Sequence, residues 1–207
     1  MLKGQLEGVA DGVLKLDEHR IALFLAETQK LTYMINDLSL LTHLESPGYQ
    51  VHTETVWVDE VIVNLLSRFE VQAKERGMQF SYNPLSLRLQ ADKNLFTRLL
   101  DNLISNAVKY NKTGGSVECI LSQTENEVVL EVKDTGIGMT QEEAARLFQE
   151  FVRIKNEKTK EITGTGLGLS IVKKIVTTYA GTITVESTPD IGSRFIVKIP
   201  YKSEKLN

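Results

Sequence analysis

Two carboxamides and one ammonium group are spaced to share one face of a predicted helix. Asn102, Asn106 and Lys109 are separated by four and three residues, which places them side by side on a helix. An amide oxygen is a hard ligand suited to Mg²⁺, and a lysine ammonium can pair with phosphate oxygens. This face therefore favours binding of a magnesium-bound phosphate. A solvated polar surface would show the same spacing, and the helix alone does not separate the two interpretations.

A first glycine-containing segment, 134–139, reads Asp-Thr-Gly-Ile-Gly-Met and directly follows a predicted strand. Gly136 and Gly138 permit a sharp turn and a close approach of the backbone to a ligand. The Asp134 carboxylate could accept a hydrogen bond from an exocyclic amine such as that of adenine. Taken alone, this pattern is more often an ordinary turn at the end of a strand.

A second glycine-rich segment, 164–170, reads Gly-Thr-Gly-Leu-Gly-Leu-Ser and opens a predicted helix. Backbone N–H groups at such a helix N-terminus form an anion site where a phosphate could bind. The segment does not match the dinucleotide fingerprint, because Leu169 stands where a glycine is required. It does not match the P-loop either, because Gly-Lys-Ser/Thr is absent.

A long polar segment joins the two glycine segments and predicts a lid. It contains residues 147–153, Leu-Phe-Gln-Glu-Phe-Val-Arg, followed by the polar stretch 155–163. Its two aromatic side chains are expected to anchor the lid, and Arg153 is placed to reach a terminal phosphate.

The hydrophobic pattern predicts the elements that position these residues. A long amphipathic helix at 17–46 follows a shorter one at 2–14, and Pro47-Gly48 ends the long helix. Further helices are predicted at 59–76, from Asp92 through Val108, and at 166–179, with strands at 79–82, 87–91, 116–122, 127–133, 182–186 and 194–199. The mixture predicts an α+β fold, a two-layer α/β sandwich with a mixed, mostly antiparallel sheet, preceded by a partial helical hairpin.

Composition excludes several classes of protein. The 207 residues carry a net charge of −3, which gives no broad electrostatic surface for nucleic acid. A single cysteine, Cys119, excludes an internal disulfide and favours a reducing compartment. No apolar run reaches the roughly 18 residues that a membrane span requires.

In their order, these segments resemble the sequence boxes of the catalytic ATP-binding domain of sensor histidine kinases, within the GHKL group of ATPases. Residues 102–110 resemble the N box, 134–138 the first glycine box, and 147–153 the F box. Residues 164–168 resemble the second glycine box, and 192–195, Gly-Ser-Arg-Phe, the last.

The resemblance implies a Bergerat-type fold that binds ATP and Mg²⁺. Asn106 would bind Mg²⁺, Asp134 would read the adenine amine, and 139–163 would form the ATP lid. The implied catalytic residues are Asn106, Lys109 and Arg153. The implied ATP contacts are Asn102, Asn106, Lys109, Tyr110, Asp134, Gly136, Ile137, Gly138, Met139, Arg153, Gly164, Thr165, Gly166, Leu167, Gly168 and Leu169.

The long helix at 17–46 resembles the second helix of the dimerisation and histidine-phosphotransfer domain. The family's phosphoacceptor box, a histidine followed by an acidic residue and Thr-Pro, is absent. None of His19, His43 and His52 replaces that histidine. We therefore expect a truncated helical domain at 1–47, a catalytic domain at 48–207, and a natural start upstream of Met1.

The implied function is transfer of the γ-phosphoryl group of Mg-ATP to a histidine outside this chain, then to a response-regulator aspartate. The implied parent is an inner-membrane bacterial protein whose cytoplasmic part contains this chain, with self-association through 17–46. A GHKL-type ATPase is the first alternative, but those relatives place a glutamate base where this chain has Asn102. In that case Glu150, Glu157 or Glu161 of the lid would have to supply the base. A non-catalytic nucleotide-binding module is the second alternative.

Overall fold

The computed structural model describes residues 2–154, 156–157, 159–160 and 162–201. Within these residues, no helix is both long enough and apolar enough to cross a membrane. The helices are α1 (Leu2–Ala10), α2 (Glu18–Glu45), α3 (Val58–Arg68), α4 (Glu70–Glu75), α5 (Lys93–Lys109), α6 (Gln141–Arg146) and α7 (Gly168–Thr178). The strands are β1 (Glu54–Trp57), β2 (Gln79–Asn83), β3 (Arg88–Ala91), β4 (Ser116–Gln123), β5 (Glu127–Asp134), β6 (Thr182–Thr188) and β7 (Gly192–Pro200).

Five strands form one sheet in the order β2-β4-β5-β7-β6. The β2–β4 pair is parallel and the other three pairs are antiparallel. Alternate residues of β4 and β5 are buried, because one face of the sheet packs against helices α5 and α7. The predicted two-layer α+β sandwich with a mixed, mostly antiparallel sheet is confirmed.

Helix α5 is the central element of the helical layer. It begins after Asp92, whose Oδ1 accepts hydrogen bonds from the backbone N–H groups of Asn94 at 2.9 Å and Leu95 at 3.0 Å. One side of α5 is packed into the core through Leu95, Phe96, Leu99, Leu100, Leu103, Ile104, Ala107 and Val108. Burial of this side leaves the opposite face free to carry polar groups.

Helix α2 matches the predicted long helix and contacts the sandwich near its C-terminal end. Asp17 caps its start by accepting a 2.8 Å hydrogen bond from the backbone N–H of Arg20. Leu41 and Leu44 are buried, and Glu45 pairs with Lys174 of α7 at 3.1 Å. The N-terminal two thirds of the predicted apolar stripe is largely exposed, including Ile35 at 67%.

Four features differ from the sequence-based expectation. The helix predicted at 59–76 is two helices, because the backbone at Phe69 leaves helical geometry (φ −95°, ψ 0°). Strand β1 was not predicted, and it pairs with β3 in a separate antiparallel two-stranded sheet. Helix α6 lies within a segment for which no helix was predicted, and α1 ends at Ala10.

Candidate functional site

A cavity of about 410 Å³ lies between α5, the turn after β5, the segment leading into α7, and one face of α2. Among the predicted ATP contacts, Gly136 and Leu167 do not line it. The predicted residues that do line it are Asn102, Asn106, Lys109, Tyr110, Asp134, Ile137, Gly138, Met139, Arg153, Gly164, Thr165, Gly166, Gly168 and Leu169.

The polar face of α5 forms one wall of the cavity. The amide nitrogen of Asn102 donates a 2.9 Å hydrogen bond to the backbone oxygen of Arg98, one turn earlier. The Asn106 amide has no hydrogen-bond partner within the part of the chain that the structure describes. A half-buried amide without a protein partner is available to a ligand or a metal ion.

Two cations, Lys109 and Arg153, meet at the cavity from different elements. Burial lowers the pKa of Lys109, and the nearby charge of Arg153 lowers it further. The Lys109 Nζ lies 5.5 Å from the ring centroid of Tyr110. Arg153 donates from Nη2 to the backbone oxygen of Ile162, while no described group accepts from its buried Nε. An anion bound between Lys109 and Arg153 would relieve their repulsion, so this part of the cavity suits phosphate.

Asp134 is a buried carboxylate at the cavity, carried by the last residue of β5. Its Oδ1 accepts hydrogen bonds from the backbone N–H groups of Gly136 at 2.8 Å and Ser193 at 3.3 Å. Desolvation raises the pKa of Asp134 to about 6, although these two hydrogen bonds oppose the rise. No described group donates to Oδ2, which leaves one carboxylate oxygen for a ligand amine.

The glycines after β5 are required by close backbone contacts within the protein. A Cβ on Gly136 would lie 2.3 Å from the Tyr110 backbone oxygen. Gly138 has φ +60°, and a Cβ there would lie 1.9 Å from the Thr188 backbone oxygen. These glycines therefore hold the turn against the end of α5 and against β6, which fixes Asp134 relative to the polar face of α5.

The N-terminus of α7 opens onto the cavity beside Asn102. The backbone N–H groups of Gly168, Leu169 and Ser170 have no partner within the helix, and no described group accepts from them. A Cβ on Gly168 would lie 2.7 Å from the Asn102 Oδ1, so the glycine lets the start of α7 approach the Asn102 side chain closely. Leu167, the residue before the helix, is fully buried and anchors its start.

The predicted lid is partly packed and partly exposed. Phe148 packs against the core as expected, whereas Phe151 is 56% exposed at φ +60° and does not anchor the lid. Glu150 and Glu157 are exposed and do not line the cavity. Glu161, which was also considered as a base, lies outside the described residues, as do Lys155 and Lys158.

Several residues at the cavity were not predicted from the sequence. Tyr33 and Asp37 reach it from α2, and Asp37 forms an ion pair with Arg98. Arg98 precedes Asn102 by four residues, so extending the polar face of α5 by one turn would have identified it. The other unpredicted lining residues are Arg68, Asp101, Ser105, Leu147, Val152, Ile154, Thr159, Ser193 and Phe195.

Few of the described side chains at the cavity could bind a metal ion. Among the described residues, no group of three or more His, Cys, Asp or Glu side chains is placed to hold a metal ion. Mg²⁺ keeps several waters and takes other ligands from phosphates, so one protein oxygen is sufficient. The unpartnered Asn106 amide beside the phosphate-suited cations fits that role.

Residues 91–203, more than half of the chain, match the sequence model of the histidine kinase-, DNA gyrase B-, and HSP90-like ATPases. The chain belongs to this family. Its nucleotide-binding fold is therefore that of an ATP-binding domain, as the order of the sequence boxes predicted.

Curated relatives of similar sequence include sensor histidine kinases. It is 31% identical to the sensor histidine kinase WalK of Bacillus subtilis over 99% of this chain and 34% of WalK. It spans about a third of the length of the curated relatives it matches. The chain is thus similar to part of these kinases, and that part includes the matched ATPase region 91–203.

Solved structures share the fold. The Acinetobacter baumannii histidine kinase AdeS superposes with a TM-score of 0.83 at 26% identity, covering 98% of this chain and 94% of that one. The histidine kinase ThkA, solved with the response regulator TrrA, superposes with a TM-score of 0.76 at 21% identity, covering 99% and 57%. AdeS includes counterparts of both α2 and the sandwich, since almost all of this chain is covered.

Proposed function

We propose that this chain is the catalytic part of a sensor histidine kinase that transfers the γ-phosphoryl group of Mg-ATP to a histidine outside the chain. The observation that carries the proposal is the unpartnered Asn106 amide between the Lys109–Arg153 cations and the open N-terminus of α7. Asp134, with one free carboxylate oxygen, accounts for recognition of the base. Phosphate and base contacts thus occupy different walls of one cavity.

Each side chain has a stated role in this proposal. The Asp134 Oδ2 accepts a hydrogen bond from the adenine amine, while Tyr110 packs near the base. Lys109, Arg153 and the N–H groups of α7 neutralise the phosphate charge and align the γ-phosphoryl group with its acceptor. Asn106 would hold Mg²⁺, which would supply further charge neutralisation on the phosphates.

Transfer to a histidine needs little more than positioning from this chain. A neutral imidazole nitrogen already carries a lone pair, so it bonds to phosphorus as the γ-phosphoryl group separates from ADP. Water would need a base, and the Asn102 amide cannot accept a proton. Neither Glu150 nor Glu157 lines the cavity. These features favour a kinase over an ATPase.

The organisation of the longer protein is also part of the proposal. Residues 1–47 correspond to a helical dimerisation segment and 48–207 to the catalytic unit, with self-association through 17–46. A response regulator is the proposed final acceptor, supported by the ThkA–TrrA complex, which shares this fold. An inner-membrane parent with this portion in the bacterial cytoplasm follows from the sensor kinases that the chain resembles.

A phosphotransfer assay in trans tests the proposed reaction. This chain is mixed with labelled Mg-ATP and with an upstream-extended version of itself that is disabled by Asn106→Ala. We expect acid-labile, base-stable label on the extended protein, as for a phosphohistidine. Strong release of inorganic phosphate without that label would instead indicate an ATPase.

A preference for ATP over GTP distinguishes a functional nucleotide site from a degenerate one. Asp134→Ala is expected to weaken ATP binding by about 1–3 kcal/mol, because a hydrogen bond to a charged group is lost. GTP lacks the adenine amine, so the unmodified chain should prefer ATP. Equal affinity for both nucleotides by titration calorimetry would contradict base reading by Asp134.

A further inference from the structure

The ion pair between Asp37 and Arg98 joins α2 to α5 at the edge of the nucleotide cavity. The Asp37 side chain is 6% exposed, whereas that of Arg98 is 33% exposed. Asp37 is therefore fixed in place, while Arg98 retains freedom to change partner. Both residues line the same cavity as Asn106 and Asp134.

Among the α5 residues that line the cavity, Arg98 is the farthest along the helix from the turn that carries Asp134. The turn that carries Asp134 is tied to the C-terminal end of α5, since the Ile137 N–H donates to the Tyr110 oxygen at 3.1 Å. From there the polar face runs toward the helix N-terminus, with Arg98 about 12 Å beyond Asn106 at 1.5 Å per residue. A nucleotide whose base contacts Asp134 and whose phosphates follow the polar face of α5 past Asn106 would extend its terminal phosphate toward Arg98.

We propose that Arg98 distinguishes ATP from ADP by contacting the γ-phosphate, and that Asp37 holds Arg98 back until a triphosphate binds. The inference rests on the proposed function, because it requires the nucleotide to lie in this orientation. A guanidinium can bind a phosphate in the same forked geometry that it offers a carboxylate. The γ-phosphate and Asp37 then compete for one cation.

This exchange has a consequence for α2. When Arg98 turns to the phosphate, Asp37 is left buried without its counter-charge, which is costly. Asp37 regains solvation only if α2 moves away from α5. ATP therefore loosens the contact of α2 with the sandwich, and ADP, which has no γ-phosphate, does not.

Titration calorimetry with ATP and ADP tests the inference in three variants. For Arg98→Gln we expect ATP affinity to fall about tenfold, with ADP affinity unchanged. For Asp37→Asn we expect ATP affinity to rise about fivefold, because Arg98 no longer has to leave a carboxylate. The double exchange Asp37→Arg with Arg98→Asp restores an ion pair but not the phosphate contact, so its ATP affinity should stay low.

The control is Glu45→Gln, which removes the ion pair between α2 and Lys174 of α7 without altering the cavity lining. It should leave the ratio of ATP to ADP affinity unchanged. Hydrogen exchange provides a second readout: ATP, and not ADP, should accelerate exchange in α2 around Asp37, and Asp37→Asn should show fast exchange without nucleotide.

The outcomes separate this inference from the proposed function. If the unmodified chain fails to bind ATP, or Asp134→Ala binds it equally well, the proposed site itself is wrong. If ATP binds through Asp134 but Arg98→Gln weakens ATP and ADP equally, or weakens neither, then Arg98 does not read the γ-phosphate. Restoration of ATP affinity by the double exchange would contradict a specific role of Arg98, because an arginine at position 37, which also lines the cavity, would then serve as well.

Discussion

Helices α5 and α2 are both amphipathic, yet they use their two faces in opposite ways. In α5 the apolar residues are packed into the core, and the polar residues Asn102, Asn106 and Lys109 line the cavity. In α2 the buried positions are Asp37, Leu41 and Leu44, while most of the apolar stripe is exposed. The same sequence periodicity thus marks a completed interface in α5 and an open one in α2.

The difference indicates that α5 positions the site residues, whereas α2 offers a surface for association with another molecule. Burial on one side of α5 fixes the orientation of its polar side chains, and that rigidity is what a metal and phosphate site needs. Exposed Leu31 and Ile35 on α2 gain free energy only when another surface covers them. Substitutions on α5 and around it should therefore act within one molecule, and substitutions on the α2 stripe should act between molecules.

The largest effect is expected from Asn106→Ala on the polar face of α5. Loss of the proposed metal-binding amide should reduce phosphotransfer in trans on the order of 10²-fold or more, because charge neutralisation at the phosphates would be lost. The Mg²⁺-dependent part of ATP affinity, measured by titration with and without a chelator, should disappear as well. Ser105→Ala is the matched control, since Ser105 also lines the cavity but its hydroxyl bonds only to the Asn102 backbone oxygen, at 3.4 Å. Unchanged Mg²⁺ dependence in Asn106→Ala would contradict the assignment.

The next largest effect concerns the turn that fixes Asp134 against α5. Gly138→Ala should lower the free energy of unfolding by about 3 kcal/mol or more, because it combines a positive φ with a Cβ placed 1.9 Å from the Thr188 oxygen. Gly114→Ala is the control: its φ is +72°, but nothing lies within 4 Å of the added Cβ, so about 1 kcal/mol is expected. Urea unfolding measures both. Equal losses would show that the close contact at Gly138 relaxes without cost.

Local signals predicted most of the fold. The caps at Asp17 and Asp92 lie where the sequence placed the starts of the two long helices, and the alternating pattern located β4 and β5. The start of helix α6 also has a local sequence signal, the capping box formed by Thr140 and Glu143. The features that could be predicted are those determined by residues that are close together in the sequence.

Features that depend on distant residues could not be predicted in this way. Strand β1 is only four residues long and exists because it pairs with β3, more than thirty residues later. All the predicted site residues except Gly136 and Leu167 line one cavity, but the contribution of Tyr33 and Asp37 from α2 depends on how that helix packs against the sandwich. Tyr33 and Asp37 are four residues apart on α2, and this spacing alone does not predict a contact with α5.

The buried Asp134 carboxyl gives the free energy of unfolding a pH dependence. Its pKa is raised from the ordinary 3.8 to about 6 by burial, so the folded state takes up a proton before the unfolded state does as pH falls. Its contribution to stability is therefore greatest below about pH 4 and is lost as pH rises through about 6, a change of roughly 2–3 kcal/mol. Unfolding of the unmodified chain and of Asp134→Asn, compared at about pH 4 and about pH 7.5, should show this difference in the unmodified chain alone. A constant difference between the two proteins would contradict the raised pKa.

The smallest effect is expected from a substitution on α2. Its result distinguishes the role of α2 from that of α5 most clearly. Leu31→Glu should weaken self-association by about 1–2 kcal/mol, since the 45% of this side chain that is exposed would otherwise be covered by a partner. Gln29→Glu adds the same charge away from the stripe and should leave association unchanged. Sedimentation velocity measures the dimer fraction, and ATP affinity of Leu31→Glu should match that of the unmodified chain because Leu31 does not line the cavity. If Leu31→Glu lowered ATP affinity without changing the dimer fraction, the stripe would belong to the nucleotide site, and the distinction drawn between α2 and α5 would fail.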